Sequence, residues 1–169
     1  MRPDAFDFER LLVALAEGNV EFILVGGMCA ILHGAPLVTL DVDIVPNRAA
    51  DNLQRLEAVL RSLGAYYREH PPGKIVPEAA RMGGPGHHLM TTLVGPIDVL
   101  GTVSGGRDYA ALLPLSTEVT IGDGTQIRIV DLPTLIQLKT EAGRDKDKAV
   151  LPILRQTLAE IERISGAQE

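Results

Sequence analysis

Phe22-Ile23-Leu24-Val25-Gly26-Gly27, followed after a thirteen-residue spacer by Asp41-Val42-Asp43-Ile44-Val45, is the stretch on which the fold turns. Phe22 to Val25 is short and rich in β-formers, so it reads as a strand. Gly26-Gly27 then turns the chain into a short helix over Met28 to His33, which Gly34 and Pro36 end. Leu40 to Val45 reads as a second strand. Side chains alternate along a strand, so Asp41 and Asp43 are expected on one face, about 7 Å apart, while Val42 and Ile44 fill the other. A third carboxylate, Asp98 of Pro96-Ile97-Asp98-Val99-Leu100, has the same apolar setting and is expected to converge on that face.

Working outward, Asp4 is expected to cap a helix running to about Glu17, with Leu11, Leu12 and Leu15 as its apolar stripe and Gly18 as its stop. Asn47 is the expected cap of a helix whose Leu53, Leu56, Leu60 and Leu63 recur at helical spacing up to Gly64. From Tyr66 to Gly86 the chain is rich in Pro and Gly and reads mainly as loop, bordering the site. His88 to Val94 and Ile97 to Thr102 read as strands joined at Gly95-Pro96. Thr117 to Ile121 and Gln126 to Val130 flank Gly122-Asp123-Gly124-Thr125, a hairpin signal. Asp131 and Pro133 start a helix that ends at Ala142 before Gly143. A last helix follows Asp145, with Pro152 inside it. Strands joined by both crossovers and hairpins, interleaved with helices, predict an α/β (α+β) fold: a mixed sheet flanked by helices.

The 169 residues, 46% of them hydrophobic, fit one domain over residues 1–169, with C-terminal helices from about 131. No apolar run approaches the roughly eighteen residues of a bilayer span, and Arg2, Asp4, Asp7, Glu9 and Arg10 stand where a signal peptide would be apolar. A cytoplasmic protein without membrane contact is therefore expected. The single cysteine, Cys29, forms no internal disulfide and reads as a buried, inert thiol. A net charge of -6 disfavours long nucleic acid as a partner. Lys139, Arg144, Lys146, Lys148 and Arg155 form one basic patch, but Glu141, Asp145 and Asp147 interrupt it, as on a solvated helix face.

Three ionised carboxylates about 6 to 7 Å apart at a partly buried site repel by roughly 2.5 kcal/mol per pair at an effective dielectric near 20. A divalent cation relieves this, and hard oxygen ligands suit Mg²⁺. Carboxylates facing bulk water would need no such ion. Gly-Gly after an apolar strand lets backbone N–H groups approach a polyphosphate without Cβ obstruction, or else makes an ordinary tight turn. Neither G-x-x-x-x-G-K-[ST] nor G-x-G-x-x-G occurs, which disfavours P-loop and Rossmann sites.

Val25-Gly26-Gly27, the spacer, Asp41-Val42-Asp43-Ile44 and a later strand bearing Asp98 together resemble the nucleotidyltransferase superfamily of polymerase-beta-like fold. Thr39-Leu40-Asp41-Val42-Asp43, His33-Gly34 and the late Leu138-Lys139-Thr140-Glu141-Ala142-Gly143-Arg144-Asp145-Lys146-Asp147 resemble its small prokaryotic branch, which includes toxin components of toxin–antitoxin pairs. The resemblance implies Mg²⁺-dependent transfer of a nucleoside monophosphate from a nucleoside triphosphate to an acceptor hydroxyl on an RNA end, a protein or a small molecule. It implies that Asp41, Asp43 and Asp98 bind the metal, with Asp98 also helping to deprotonate the acceptor. Gly26, Gly27 and Thr39 would bound the nucleotide site, and Lys139 would neutralise the departing pyrophosphate; a surface lysine is the plain alternative. An antitoxin-like partner protein is implied too. Leu37 and Val38 stand where related small members often carry an arginine, and little chain remains for an acceptor-binding domain. A catalytically inactive nucleotide- or partner-binding protein of the same fold is the alternative.

Two weaker candidates are disfavoured. His87-His88 would face opposite ways on a strand and lack a spaced metal-ligating partner. Ser104-Gly105-Gly106 lacks the strand-elbow setting of a nucleophile and reads as loop.

Overall fold

A computed structural model describes residues 6–168. Helix α1 spans Phe8–Glu17 and buries Leu11, Leu12 and Leu15. Its cap is Asp7, whose carboxylate accepts from the Arg10 amide at 2.9 Å; Asp4, the expected cap, lies outside the described residues. Strand β1 (Phe22–Val25) runs directly into α2 (Gly26–Leu32), so the glycines form the helix's first turn rather than a separate link. Strand β2 (Val42–Pro46) begins two residues later than the apolar pattern predicts, because Leu40 is 72% exposed and Leu40-Asp41 form a bend.

Helix α3 (Ala50–Ser62) buries Leu53, Leu56 and Leu60. Asn47 is not its cap: the Asn47 side chain accepts from the Ala49 amide, a local turn ahead of the helix. The buried Asn52 ties α3 to the sheet, accepting from the Glu21 amide and donating to the Glu21 and Asn47 carbonyls. The stretch expected to be loop contains a short strand, β3 (Tyr66–Tyr67), and a 3-10 turn over Ala79–Gly83. β4 (His87–Thr92) and β5 (Gly95–Leu100) follow as a hairpin, then the one-turn α4 (Tyr109–Leu112). β6 (Ser116–Ile121) and β7 (Thr125–Val130) form the second hairpin.

Helix α5 (Leu132–Ala142) has the predicted ends: Asp131 accepts from the Thr134 amide, and Gly143 closes it at φ 62°. Helix α6 (Asp145–Gly166) packs on α5 through its first half, burying Leu151 and Leu154.

The fold is α/β. Its seven-stranded sheet has the order β3-β4-β5-β2-β1-β7-β6, with β2/β5 and β1/β7 parallel and the remaining neighbours antiparallel. Two antiparallel hairpins thus flank a centre built by crossovers, the mixed arrangement expected from the order of elements. No helix among the described residues is long and apolar enough to cross a membrane.

Candidate active site

Strand register decides where the acidic side chains meet. Val25 of β1 pairs with Asp43 of β2, and Asp43 pairs with Asp98 of β5, so the two carboxylates stand side by side on adjacent strands. Their neighbours Val42, Ile44, Ile97 and Val99 point to the other face and are fully or almost fully buried. Asp41 sits in the bend before β2 and is freed from strand geometry. Its carboxylate joins the other two from that bend. One carboxylate oxygen from each of Asp41, Asp43 and Asp98 lies within 4.8 Å of the others.

At such a separation each ionised pair repels by roughly 3 to 4 kcal/mol at an effective dielectric near 20. The titration behaviour carries that cost. Burial first, then the charges of Asp41 and Asp98 and a hydrogen bond with Asp98, push the Asp43 carboxyl up to about 7, with Lys139 pulling the other way. Asp41 is also raised, by burial and then by Asp98, against the opposing charges of Arg68, Lys146 and Lys139.

The glycine turn lies against this group. Gly26 has φ +72°, and a Cβ there would collide with the Asp43 carboxylate, so only glycine lets α2 start where it does. A Cβ on Gly27 would come within 2.7 Å of the Thr39 hydroxyl. That hydroxyl donates to the Asp41 carbonyl at 3.1 Å and braces the bend that delivers Asp41. Thr39 therefore shapes the site through the backbone.

Cations approach from two sides. Lys139 on α5 donates to Asp147 at 3.1 Å, and Arg144 at the start of α6 donates to the same carboxylate at 2.6 Å. Asp147 is wholly buried. Burial alone would raise its carboxyl; the hydrogen bonds and charges of Arg144 and Lys139 outweigh that and hold it below the ordinary range. Lys139 is thus a braced cation, 19% exposed, rather than a free surface lysine. From the opposite side Arg68 reaches Asp98 at 2.6 Å while also donating to the Met90 carbonyl at 2.9 Å.

Sequence reasoning missed Arg68 and Asp147. Arg68 follows Tyr66-Tyr67, a β-rich pair whose pairing with Thr91 and Met90 carries it to the site. The signal for Asp147 is its capping-box spacing from Arg144.

The disfavoured candidates have structural duties. The His88 ring meets the Tyr67 hydroxyl at 2.9 Å, and the His87 ring meets the Thr102 carbonyl at 2.9 Å. Ser104 donates to the Leu138 carbonyl. Cys29 is buried, and desolvation pushes its thiol far above the ordinary range. Among the described residues, Asp41, Asp43 and Asp98 form the one group of His, Cys, Asp or Glu side chains arranged to hold a metal ion.

The chain has a nucleotidyltransferase fold. Lincosamide antibiotic adenylyltransferase LnuA, lincomycin-bound, aligns over 90% of this chain and 98% of its own, with TM-score 0.63 and 14% identity. A Thermotoga maritima protein assigned as a nucleotidyltransferase aligns over 95% of this chain and 96% of its own, with TM-score 0.54 and 17% identity. The antibiotic-resistance factor ANT(2'')-Ia aligns over 95% of each chain, with TM-score 0.51 and 15% identity. No protein-family model and no curated protein matches the sequence.

Proposed function

We propose that this protein is an Mg²⁺-dependent nucleotidyltransferase that moves a nucleoside monophosphate from a nucleoside triphosphate to the hydroxyl of a small molecule. The carrying observation is the meeting of three carboxylate oxygens within 4.8 Å, with no cation of the described residues among their hydrogen-bond partners except Arg68 on Asp98. An all-oxygen donor set with a carboxyl as strained as Asp43 fits a hard divalent ion. Asp41, Asp43 and Asp98 would hold it; bound there, Mg²⁺ would polarise the triphosphate and help align the attacking oxygen.

The chain's own groups account for the rest. Gly26 and Gly27 keep the floor of the site free of side chains where phosphates would lie. Lys139, fixed by Asp147, and Arg144 beside it supply positive charge for the departing pyrophosphate. In the transfer, the acceptor oxygen bonds to the α-phosphorus, the bond from that phosphorus to the bridging oxygen of the β-phosphate breaks, and the hydroxyl proton passes to a carboxylate, with Asp98 the candidate.

For the acceptor, the lincomycin-bound adenylyltransferase and the antibiotic-resistance factor favour a small hydroxylated compound over an RNA end or a protein. The net charge of -6 also disfavours long nucleic acid. Use of a nucleoside triphosphate fits a cytoplasmic setting. The antitoxin-like partner rests on sequence resemblance alone.

The test is to incubate purified protein with Mg²⁺, α-labelled nucleoside triphosphates and a panel of hydroxylated small molecules. Labelled acceptor is expected, and is lost in Asp41→Asn and Asp43→Asn; labelling that persists in both rejects the site. Leu37 and Val38, standing where relatives often carry arginine, favour a second reading, nucleotide binding without transfer. Calorimetric nucleotide binding with no transfer across the panel would select it.

A further inference from the structure

Arg68 presents a feature that the proposed chemistry does not use. Its guanidinium is fixed at two points, to the Met90 carbonyl at 2.9 Å and to one oxygen of Asp98 at 2.6 Å, and its backbone amide donates to the Leu89 carbonyl at 3.0 Å. Leu89 is the residue paired with Asp98 across the β4/β5 ladder, so the arginine is aimed at this carboxylate from the neighbouring edge of the sheet. Asp98 is 13% exposed and Arg68 30%, so the pair is mostly shielded from water. Of the other cations nearby, Lys139 and Arg144 both bind Asp147, and Lys146 acts on Asp41 by its charge without a hydrogen bond to it.

We propose that Arg68 is a resident cation at the metal site. Its charge partly offsets the three carboxylates when no metal is present, and it competes with the divalent ion for Asp98. The inference rests on the reading of Asp41, Asp43 and Asp98 as metal ligands and adds a residue that sets how tightly they bind. Two opposed consequences separate this role from that of a simple brace. Removing the positive charge leaves the empty site less stable, because three carboxylates then face one another with less compensation. The same removal strengthens attraction for an incoming divalent ion. A brace, once lost, would weaken both.

The test is Mn²⁺ titration by calorimetry, without nucleotide, on wild type and Arg68→Gln, alongside thermal unfolding of each metal-free protein. Arg68→Gln is expected to melt at a lower temperature without metal, yet to bind Mn²⁺ roughly three- to tenfold more tightly, the size of one partly screened charge interaction. Arg68→Lys keeps the charge without the two-pronged geometry, and its affinity is expected to fall between the two. It carries the test if Arg68→Gln does not fold. Unchanged or weaker Mn²⁺ binding by the variant, with binding intact in wild type, overturns the resident-cation role and leaves the metal site standing. Absence of Mn²⁺ binding from wild type as well as the variant overturns both.

Discussion

Two carboxylates in this molecule, the half-buried Asp43 and the fully buried Asp147, have opposite surroundings. Asp147 sits between Lys139 and Arg144, which hold it ionised despite complete burial. Asp43 sits between Asp41 and Asp98, and burial together with those neighbours pushes it up to about 7. The first brings its counter-charges with it and joins α5 to α6. The second has carboxylates for its nearest charged neighbours. An acidic group that the fold compensates acts as structure, whereas one that the fold leaves strained is available to a ligand carrying positive charge.

Substitution should separate the two most sharply. Asp43→Asn removes a repelled charge, so transfer is expected to fall at least about a thousandfold, roughly 4 kcal/mol of transition-state stabilisation, while the metal-free melting temperature stays level or rises. Asp147→Asn should do the reverse to stability. It leaves the half-buried Lys139 short of a partner, and about 3 kcal/mol is expected, the lower end for a broken buried pair because Lys139 is partly exposed and Arg144 remains solvated. Chemical denaturation of both variants checks the contrast. Equal destabilisation would erase it.

Gly26→Ala tests how closely the turn must approach Asp43. Its left-handed φ alone costs about 1 to 2 kcal/mol, and the collision with the Asp43 carboxylate adds to that. Loss of stability accompanied by weaker Mg²⁺ binding is expected, measured by denaturation and calorimetry.

The pH response of the metal-free protein follows from the same contrast. Asp43 is raised in the folded state from an ordinary 3.8 to about 7, so the stability it contributes in protonated form is present below pH 4 and is lost as pH rises through 7. Asp147 is lowered, so its contribution is present above its unfolded value and is lost as pH falls through the folded one. Melting temperature should therefore decline between about pH 4 and 7, and the decline should flatten in Asp43→Asn. A profile identical in wild type and variant would remove the strain attributed to Asp43.

The contrast also explains what could be read in advance. Helix α5 was legible at both ends, because Asp131, Pro133 and Gly143 act on backbone groups within a turn of themselves. The Asp43–Asp98 row was legible too, since each residue lies in a short apolar strand with its neighbours buried. The start of β2 was not, because Leu40 extends the apolar pattern while its side chain is in solvent. Arg68 was hidden since it reaches Asp98 through pairing between Tyr66-Tyr67 and a strand more than twenty residues away. Asp147 lies in a run of alternating charge that looks uniformly solvated; the packing of α6 on α5 selects which of those charges is buried.

The central claim is that Asp41, Asp43 and Asp98 act together on one divalent ion. Electron paramagnetic resonance of added Mn²⁺ tests it most directly in wild type and in Asp41→Asn, Asp43→Asn and Asp98→Asn. The account predicts one bound class in wild type and its loss or marked weakening in each variant. Wild-type binding that survives in all three variants would contradict it.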